Sequence, residues 1–513
     1  MSIASVQQRK ALQVWERVRI FYRHLPSFRK RLYWAPKGLV FALAGYLVDP
    51  WPNAIARFRV CGAPAALDCY VQASVGHWTE FVALVLGLYG FADAIWSIIN
   101  IFVDISAFSD VEKTALKTVK VRHINVNDHI FEFPQLRPSL DEAEAGFQVR
   151  IAKQVGSETY LRSEAYDCRL GYLTTWPFEL EASRVDRLFD SAPPVRHKQI
   201  AYLVPKLLNT GLATVNEMKM GMRFRTTEPD FDVGVYQVGY FDSMVTNEAF
   251  RSQTVTASTD KSRRPSLNTD LTAHFPAQFV GGEAHILPLS ECLYLGNHVG
   301  ITVLTLTEDD HVVCMRQATQ TMMSADSVSL GGSGSADWED IECAREPESL
   351  ISIIAYAMAR ELYEEARLSP QMFAMVEKPD AVRKLADSVI VTGFFRWVDR
   401  CGKPEFVGVL RLPFLLAQLS YEKMEVRRIF LDLPVVRTMS DFVGFRHALE
   451  HCLATDGYKH LSVSTGSWVA LERIIEIAGY AASSDRLQKK YFKRMSNALF
   501  PLKPSRKSAP GRA

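Results

Sequence analysis

Arg360-Glu361-Leu362-Tyr363-Glu364-Glu365-Ala366-Arg367-Leu368 sets three carboxylates at helical spacing behind an arginine. In a helix, Glu361, Glu364 and Glu365 stand at i, i+3 and i+4 and project from one side. Like charges so placed repel by roughly a few tenths of a kcal/mol per pair, so the segment needs a cation. A hard divalent ion such as Mg2+ meets that need, because it takes oxygen ligands and bridges carboxylates to substrate phosphates. The bare spacing also suits a solvated acidic helix face, and the flanking sequence bears on the choice.

Upstream, residues 300–307 alternate and are rich in β-branched side chains, Glu308-Asp309-Asp310 reads as a turn, and residues 311–316 return as a second strand. Residues 330–338 then supply a glycine-rich approach to the helix. Downstream, residues 391–398, a turn at 400–404 and residues 405–410 read as a hairpin.

Taken together these stretches resemble the Nudix box and its surroundings. The box reads G-x5-E-x7-R-E-U-x-E-E-x-G-U, with U aliphatic, and Arg360, Glu361, Leu362, Glu364, Glu365 and Leu368 fit its second half. Arg367 stands where the box has its second glycine. Without a gap, Glu346 and Ser352 fall on the first glycine and first glutamate. With a gap, Gly334 and Asp340 take those places, and residues 341–359 lengthen the loop before the helix. The resemblance covers residues 290–475 and implies an α/β/α sandwich with a mixed sheet. It implies Mg2+ or Mn2+ held by Glu361, Glu364 and Glu365, with one of them acting as base on a nucleoside diphosphate derivative. Arg360 is expected to pair with a carboxylate of the next turn and fix its rotamer. Gly332, Gly334, Arg316 and Glu405 are the expected substrate-binding residues. Arg367 is expected to add a cation beside the site and to keep an ordinary backbone geometry.

A chain of 513 residues exceeds the usual limit of one core, so several domains are expected. The net charge of +2 does not imply a specific nucleic-acid partner, although both ends are basic. Residues 81–103 are apolar except for Asp93 and long enough to cross a bilayer, and the shorter stretch 38–48 reads as a first span with a kinked end, an interfacial helix or part of a buried hairpin. Lysine and arginine crowd residues 1–37 and 113–122, which places both flanks of such a hairpin in the cytoplasm. Asp93 and Asn100 would then face a partner helix or a pore, which suits a homo-oligomer formed through the membrane segment. The chain thus divides into a basic segment 1–32, a membrane hairpin 33–105, a mixed α/β region 106–280, a Nudix-like domain 281–480 and a basic tail 481–513. The expected class is α+β, with membrane lipid and a nucleotide-derived small molecule as partners, at an inner or plasma membrane.

Within 106–280, residues 117–126, 147–155 and 233–241 read as strands and 196–208 as a helix. Residues 240–248 read as a strand end plus turn, and 251–274 as a loop or linker. His298 and His311 are read as hydrogen-bonded structural histidines. Cys61 and Cys69 either pair in an oxidising compartment or stay apart, and the other six cysteines imply reduced thiols. No HExxH, paired CxxC, Walker or G-x-S-x-G pattern is present. Two classes of function remain: a membrane-tethered hydrolase, and a catalytically weak nucleotide-sensing module that controls a membrane effector segment in signalling or defence.

Overall fold

A computed structural model describes residues 119–123, 136–152, 158–184, 199, 217–226, 231–256, 266–270, 274–317, 327–368, 370–373, 376–420, 426–429 and 431–501. The chain clusters into two compact units, Met1–Val119 with Phe189–Val204, and Lys120–Leu188 with Pro205–Ala513. Of the first, only Val119 and Gln199 are described, so the expected membrane hairpin 33–105, the Cys61/Cys69 pair and nearly all of the helix 196–208 lie outside the described residues. Among the described residues no helix is long and apolar enough to cross a membrane.

The second unit is mixed α+β and centres on a six-stranded sheet. Its strands are β1 (Gln148–Ala152), β2 (Glu158–Arg162), β3 (Gly300–Leu306), β4 (Ser333–Ser335), β5 (Ile390–Trp397) and β6 (Lys403–Arg411), in the order β4-β3-β6-β5-β2-β1. β3 and β6 are parallel, with Gly300 opposite Glu405 and Leu306 opposite Arg411, and the other neighbours are antiparallel. The expected hairpin 391–410 is therefore present. Cys401 and Gly402 turn it, at φ +53° and +73°. The expected upstream hairpin is only begun: Leu306 and Val312 bridge, after which the chain leaves to Met315–Gln317 in a separate four-stranded sheet. β1 and β2 come from the stretch expected to form its own region, and they extend the sheet through β5.

Strand alternation sends side chains to two different cores. Leu304, Leu306, Phe395, Val407 and Val409 join Trp468, Leu471 and Ile474 of one helix, Thr465–Gly479. Intervening residues face another helix, Leu350–Glu365: a Cβ on Gly408 would lie 2.7 Å from the Met358 sulfur. On that side Phe394 and Phe406 pack at 5.1 Å between ring centroids, and Trp176 lies 5.9 Å from Phe406. We label four helices α1 (Glu164–Leu170), α2 (Leu350–Glu365), α3 (Thr465–Gly479) and α4 (Arg486–Leu499). Buried ion pairs fasten α1 and α3 to the sheet. Asp167 accepts from Arg162 at 2.6 Å and from the Phe394 amide at 2.7 Å, while Arg473 donates to the Thr392 carbonyl at 2.9 Å. The stretch expected as a basic tail contains α4, which buries Tyr491, Met495 and Leu499.

Three expectations are corrected. Residues 251–274 include the antiparallel strands Ser252–Thr256 and Ser266–Asp270, because pairing supplies the order that their polar composition does not advertise. Residues 240–248 are helical: Tyr240–Ser243 runs into a π-helical turn, Met244–Glu248, that buries Thr246, Asn247 and Glu248. Residues 341–359 are not merely a longer loop. Part forms the short helix Asp340–Cys343, and 350–359 extend α2, whose Ala355, Ala357 and Ala359 are strong helix formers.

The end of α2 gives a fourth correction. Arg367 adopts φ +46°, the left-handed conformation expected of the glycine it replaces. Its N–H donates to the Glu364 carbonyl at 3.1 Å, and the Leu368 N–H donates to Tyr363 at 2.9 Å, which together make a Schellman ending. Arg367→Gly should therefore stabilise the chain by about 0.5–1 kcal/mol, since relief of left-handed strain exceeds glycine's extra freedom when unfolded. The urea midpoint measures it, and a lower midpoint than wild type would refute the strain.

Candidate active site

Arg360 is the hub of the acidic stretch. Its guanidinium forks onto Asp340, with Nε 2.8 Å from Oδ1 and Nη2 3.0 Å from Oδ2, and Nη2 also donates to the Ser335 carbonyl at 2.9 Å. Asp337 lies at 3.1 Å, Glu361 at 3.1 Å and Glu364 at 3.5 Å. The expected partner on the next turn, Glu364, is thus present but is the most distant of the four carboxylates. Asp340, reached across the fold, is the bidentate one.

The three glutamates differ. Glu361 is 14% exposed, and its carboxyl is pushed up to about 7. Burial is the main cause, Glu364 and Asp337 add to it, and Arg360 and Lys219 act against it. Glu364 is 40% exposed and takes a second ion pair from Lys378 at 2.6 Å. Glu365 is buried and accepts from the Ser333 amide at 3.0 Å and from Gln317 Nε2 at 3.2 Å. Burial raises the pKa of Asp340, against the hydrogen bonds and charge of Arg360. For Arg360, burial disfavours the cation, but Glu361, Asp340 and Asp337 outweigh it and the pKa rises.

The glycine-rich approach has a packing reason. A Cβ on Gly332 would lie 2.6 Å from the Leu362 amide nitrogen, and one on Gly334 would collide with the Glu361 carboxylate. These glycines let β4 lie directly against α2, so they shape the site by close approach. Arg316 sits on the strand Met315–Gln317, opposite Val328 and Arg427. Glu405 is buried, paired with Lys403 and set against Gly300. It shares no contact with Arg360. The structure therefore gathers Arg360, Glu361 and Glu364, turns Glu365 to one side beside Ser333, and leaves Arg316 and Glu405 in other surroundings.

Two residues join the site without a sequence signal. Asp337 pairs with Arg360, and Lys219, from the strand Met218–Phe224, binds Asp337 at 2.5 Å and Glu217 at 2.7 Å. Nothing in the spacing of Lys219 points to a helix so far along the chain. The antiparallel bridge between Lys219 and Asp337 brings them together, with the Met220 N–H donating to Ala336 and the Trp338 N–H to Met218.

Charges around α2 do not balance. Among the described residues Glu217, Asp337, Asp340, Glu361 and Glu364 are five carboxylates, and Lys219, Arg360 and Lys378 are three cations paired with them. With every carboxyl ionised two negative charges remain in this set, and Glu364 and Asp337 add to the burial that raises the Glu361 pKa. Among the described residues no group of three His, Cys, Asp or Glu side chains is arranged to hold a metal ion. The donor set that remains is a pair, Glu361 and Glu364, whose carboxylates approach the same Arg360 nitrogen. Both carboxylates of that pair are engaged by cations of the chain, Glu361 by Arg360 and Glu364 by Arg360 and Lys378.

No protein-family model matches the chain, and no curated protein matches it.

Proposed function

We propose that this chain is a membrane-anchored, Nudix-type hydrolase that cleaves a diphosphate bond in a nucleoside diphosphate derivative with Mg2+ or Mn2+. The observation that carries the reading is the gathering of four carboxylates, Asp337, Asp340, Glu361 and Glu364, around the single guanidinium of Arg360, which leaves a local deficit of positive charge among the described residues. A bound divalent ion would offset that deficit, neutralise substrate phosphate charge and lower the pKa of a coordinated water. Glu361 and Glu364 would hold it. Arg360 and Asp340 keep those carboxylates in place, and one of the glutamates of α2 would accept a proton from the attacking water. The bond that forms is water oxygen to phosphorus, and the one that breaks is phosphorus to the bridging oxygen. Helices on both faces of a mixed sheet support a Nudix-like α/β/α sandwich. In this reading residues 33–105 anchor the chain as a hairpin, pair with further copies and leave the hydrolase in the cytoplasm.

A nucleotide-sensing module is the second reading, and the engagement of all three glutamates by Arg360, Lys378, Gln317 and Ser333 favours it. The full chain is the right material for the assay, since β1 and β2 complete the sheet that carries the site. Incubated with Mg2+ and ADP-ribose, NAD, dinucleoside polyphosphates and nucleotide sugars, it should release monophosphates, and Glu364→Gln should abolish release. Tight binding without turnover would instead establish the sensor.

A further inference from the structure

We propose that the outward face of α4 docks on an anionic lipid surface. The inference goes beyond the hydrolase reading and draws on no residue of its site.

Arg486, Lys489, Lys490, Lys493 and Arg494 stand at i, i+3, i+4, i+7 and i+8 of α4, so they share one stripe. Tyr491, Met495 and Leu499, the buried residues of the same helix, form a second stripe at i, i+4 and i+8. At 3.6 residues per turn the two stripes lie nearly opposite each other. Packing of the second therefore turns the first to solvent, and all five cations are exposed. Arg494 donates to the Gly171 carbonyl at 3.0 Å, and among the described residues none of the five makes an ion pair.

An ordinary solvated helix face mixes signs, because opposite charges at i,i+4 support it. This face does not. α4 holds no acid, and neither Asp nor Glu follows Asp485, whereas the whole chain carries 59 basic against 57 acidic residues. Lys489 and Lys493, like Lys490 and Arg494, are like charges at i,i+4 and repel. The buried stripe holds the helix in place while the outer one carries charge that an extended polyanion would neutralise along about 12 Å of helix. Lipid fits that role better than nucleic acid. Leu487, 58% exposed, lies at the edge of the cationic stripe, where an apolar side chain can enter a headgroup layer. The rings of α4 are turned away from any base that would stack on them: Tyr491 is buried and Phe492 packs against the core.

The test is lysine acetylation of the full chain, read by mass spectrometry, on vesicles of phosphatidylcholine with and without phosphatidylserine. The comparison holds whether or not residues 33–105 insert, since both vesicles would carry an inserted hairpin alike. Each cation near an anionic leaflet favours it about fivefold, so Lys489, Lys490 and Lys493 should react at least about 10-fold more slowly on the phosphatidylserine vesicles. Exposed Lys384 and Lys459 should react equally on both. Substituting Arg486→Gln, Lys489→Gln and Lys493→Gln together leaves Lys490 as the reporter. Its preference for the anionic surface should fall about 100-fold while the protein melts near wild type, and salt at about 1 M should abolish protection in the parent chain. Equal reaction of the three lysines on both vesicles, protection of Lys490 that survives the triple substitution, or protection by single-stranded RNA alone would overturn the proposal. Turnover in Glu364→Gln reports on α2 and is unaffected by either result.

Discussion

Arg360→Met is expected to lower the unfolding free energy by about 3–5 kcal/mol, the range for removing one partner of a buried ion pair. Asp340 is 2% exposed on its side chain and Glu361 14%, so both carboxylates would remain enclosed without their cation. The Ser335 carbonyl would lose its donor as well. Urea unfolding by circular dichroism measures the loss. A second substitution, Asp340→Asn in the Arg360→Met background, should recover part of it, because the uncompensated charge and not the missing methylene packing dominates. A loss under about 1 kcal/mol, the ceiling for an exposed ion pair, would mean that Arg360 is a surface arginine in effect, and its role in ordering the glutamates would fall with it.

Glu361→Gln should reduce turnover of any substrate found in the panel by about 10^2- to 10^4-fold, the usual weight of a positioned acid or base. The amide keeps the volume of the side chain and an acceptor for Arg360, so the fold should persist. The same variant tests the electrostatics. A folded-state pKa of about 7 against an ordinary 4.5 means that the unfolded chain releases this proton first as pH rises. The contribution of Glu361 to stability is therefore greatest below about pH 4.5 and declines through pH 7, by about 3 kcal/mol in all. Glu361→Gln should flatten that decline and be more stable than wild type at about pH 8. Parallel pH dependence in the two proteins would show that Glu361 titrates as an ordinary exposed carboxylate.

Local patterns made much of this chain legible. The hairpin of β5 and β6 announced itself by β-branched and aromatic alternation around Gly402, and the end of α2 by glutamates at helical spacing, whereas its first ten residues, 350–359, read as loop. Such signals arise within one element, where period and turn chemistry are properties of neighbouring residues. The acidic stretch was legible for the same reason. Its environment was not. Asp340 and Arg360 meet because β4 and the short helix after it fold back over α2, and Lys219 arrives on a strand from far upstream. The strands 252–256 and 266–270 carry serine, threonine and asparagine, which read as loop until a partner strand is present. Arg367 shows the converse, since the Schellman bonds of α2 impose a backbone conformation that arginine alone would avoid.

The central claim is that Glu361 and Glu364 capture a divalent cation, and Mn2+ titration of the full chain, followed by the loss of the free-ion electron paramagnetic resonance signal, tests it most directly. One Mn2+ per chain should bind, compete with Mg2+, and be lost in the Glu361→Gln, Glu364→Gln double variant while that variant stays folded. Equal Mn2+ uptake by wild type and the double variant, or none by either, would contradict the claim.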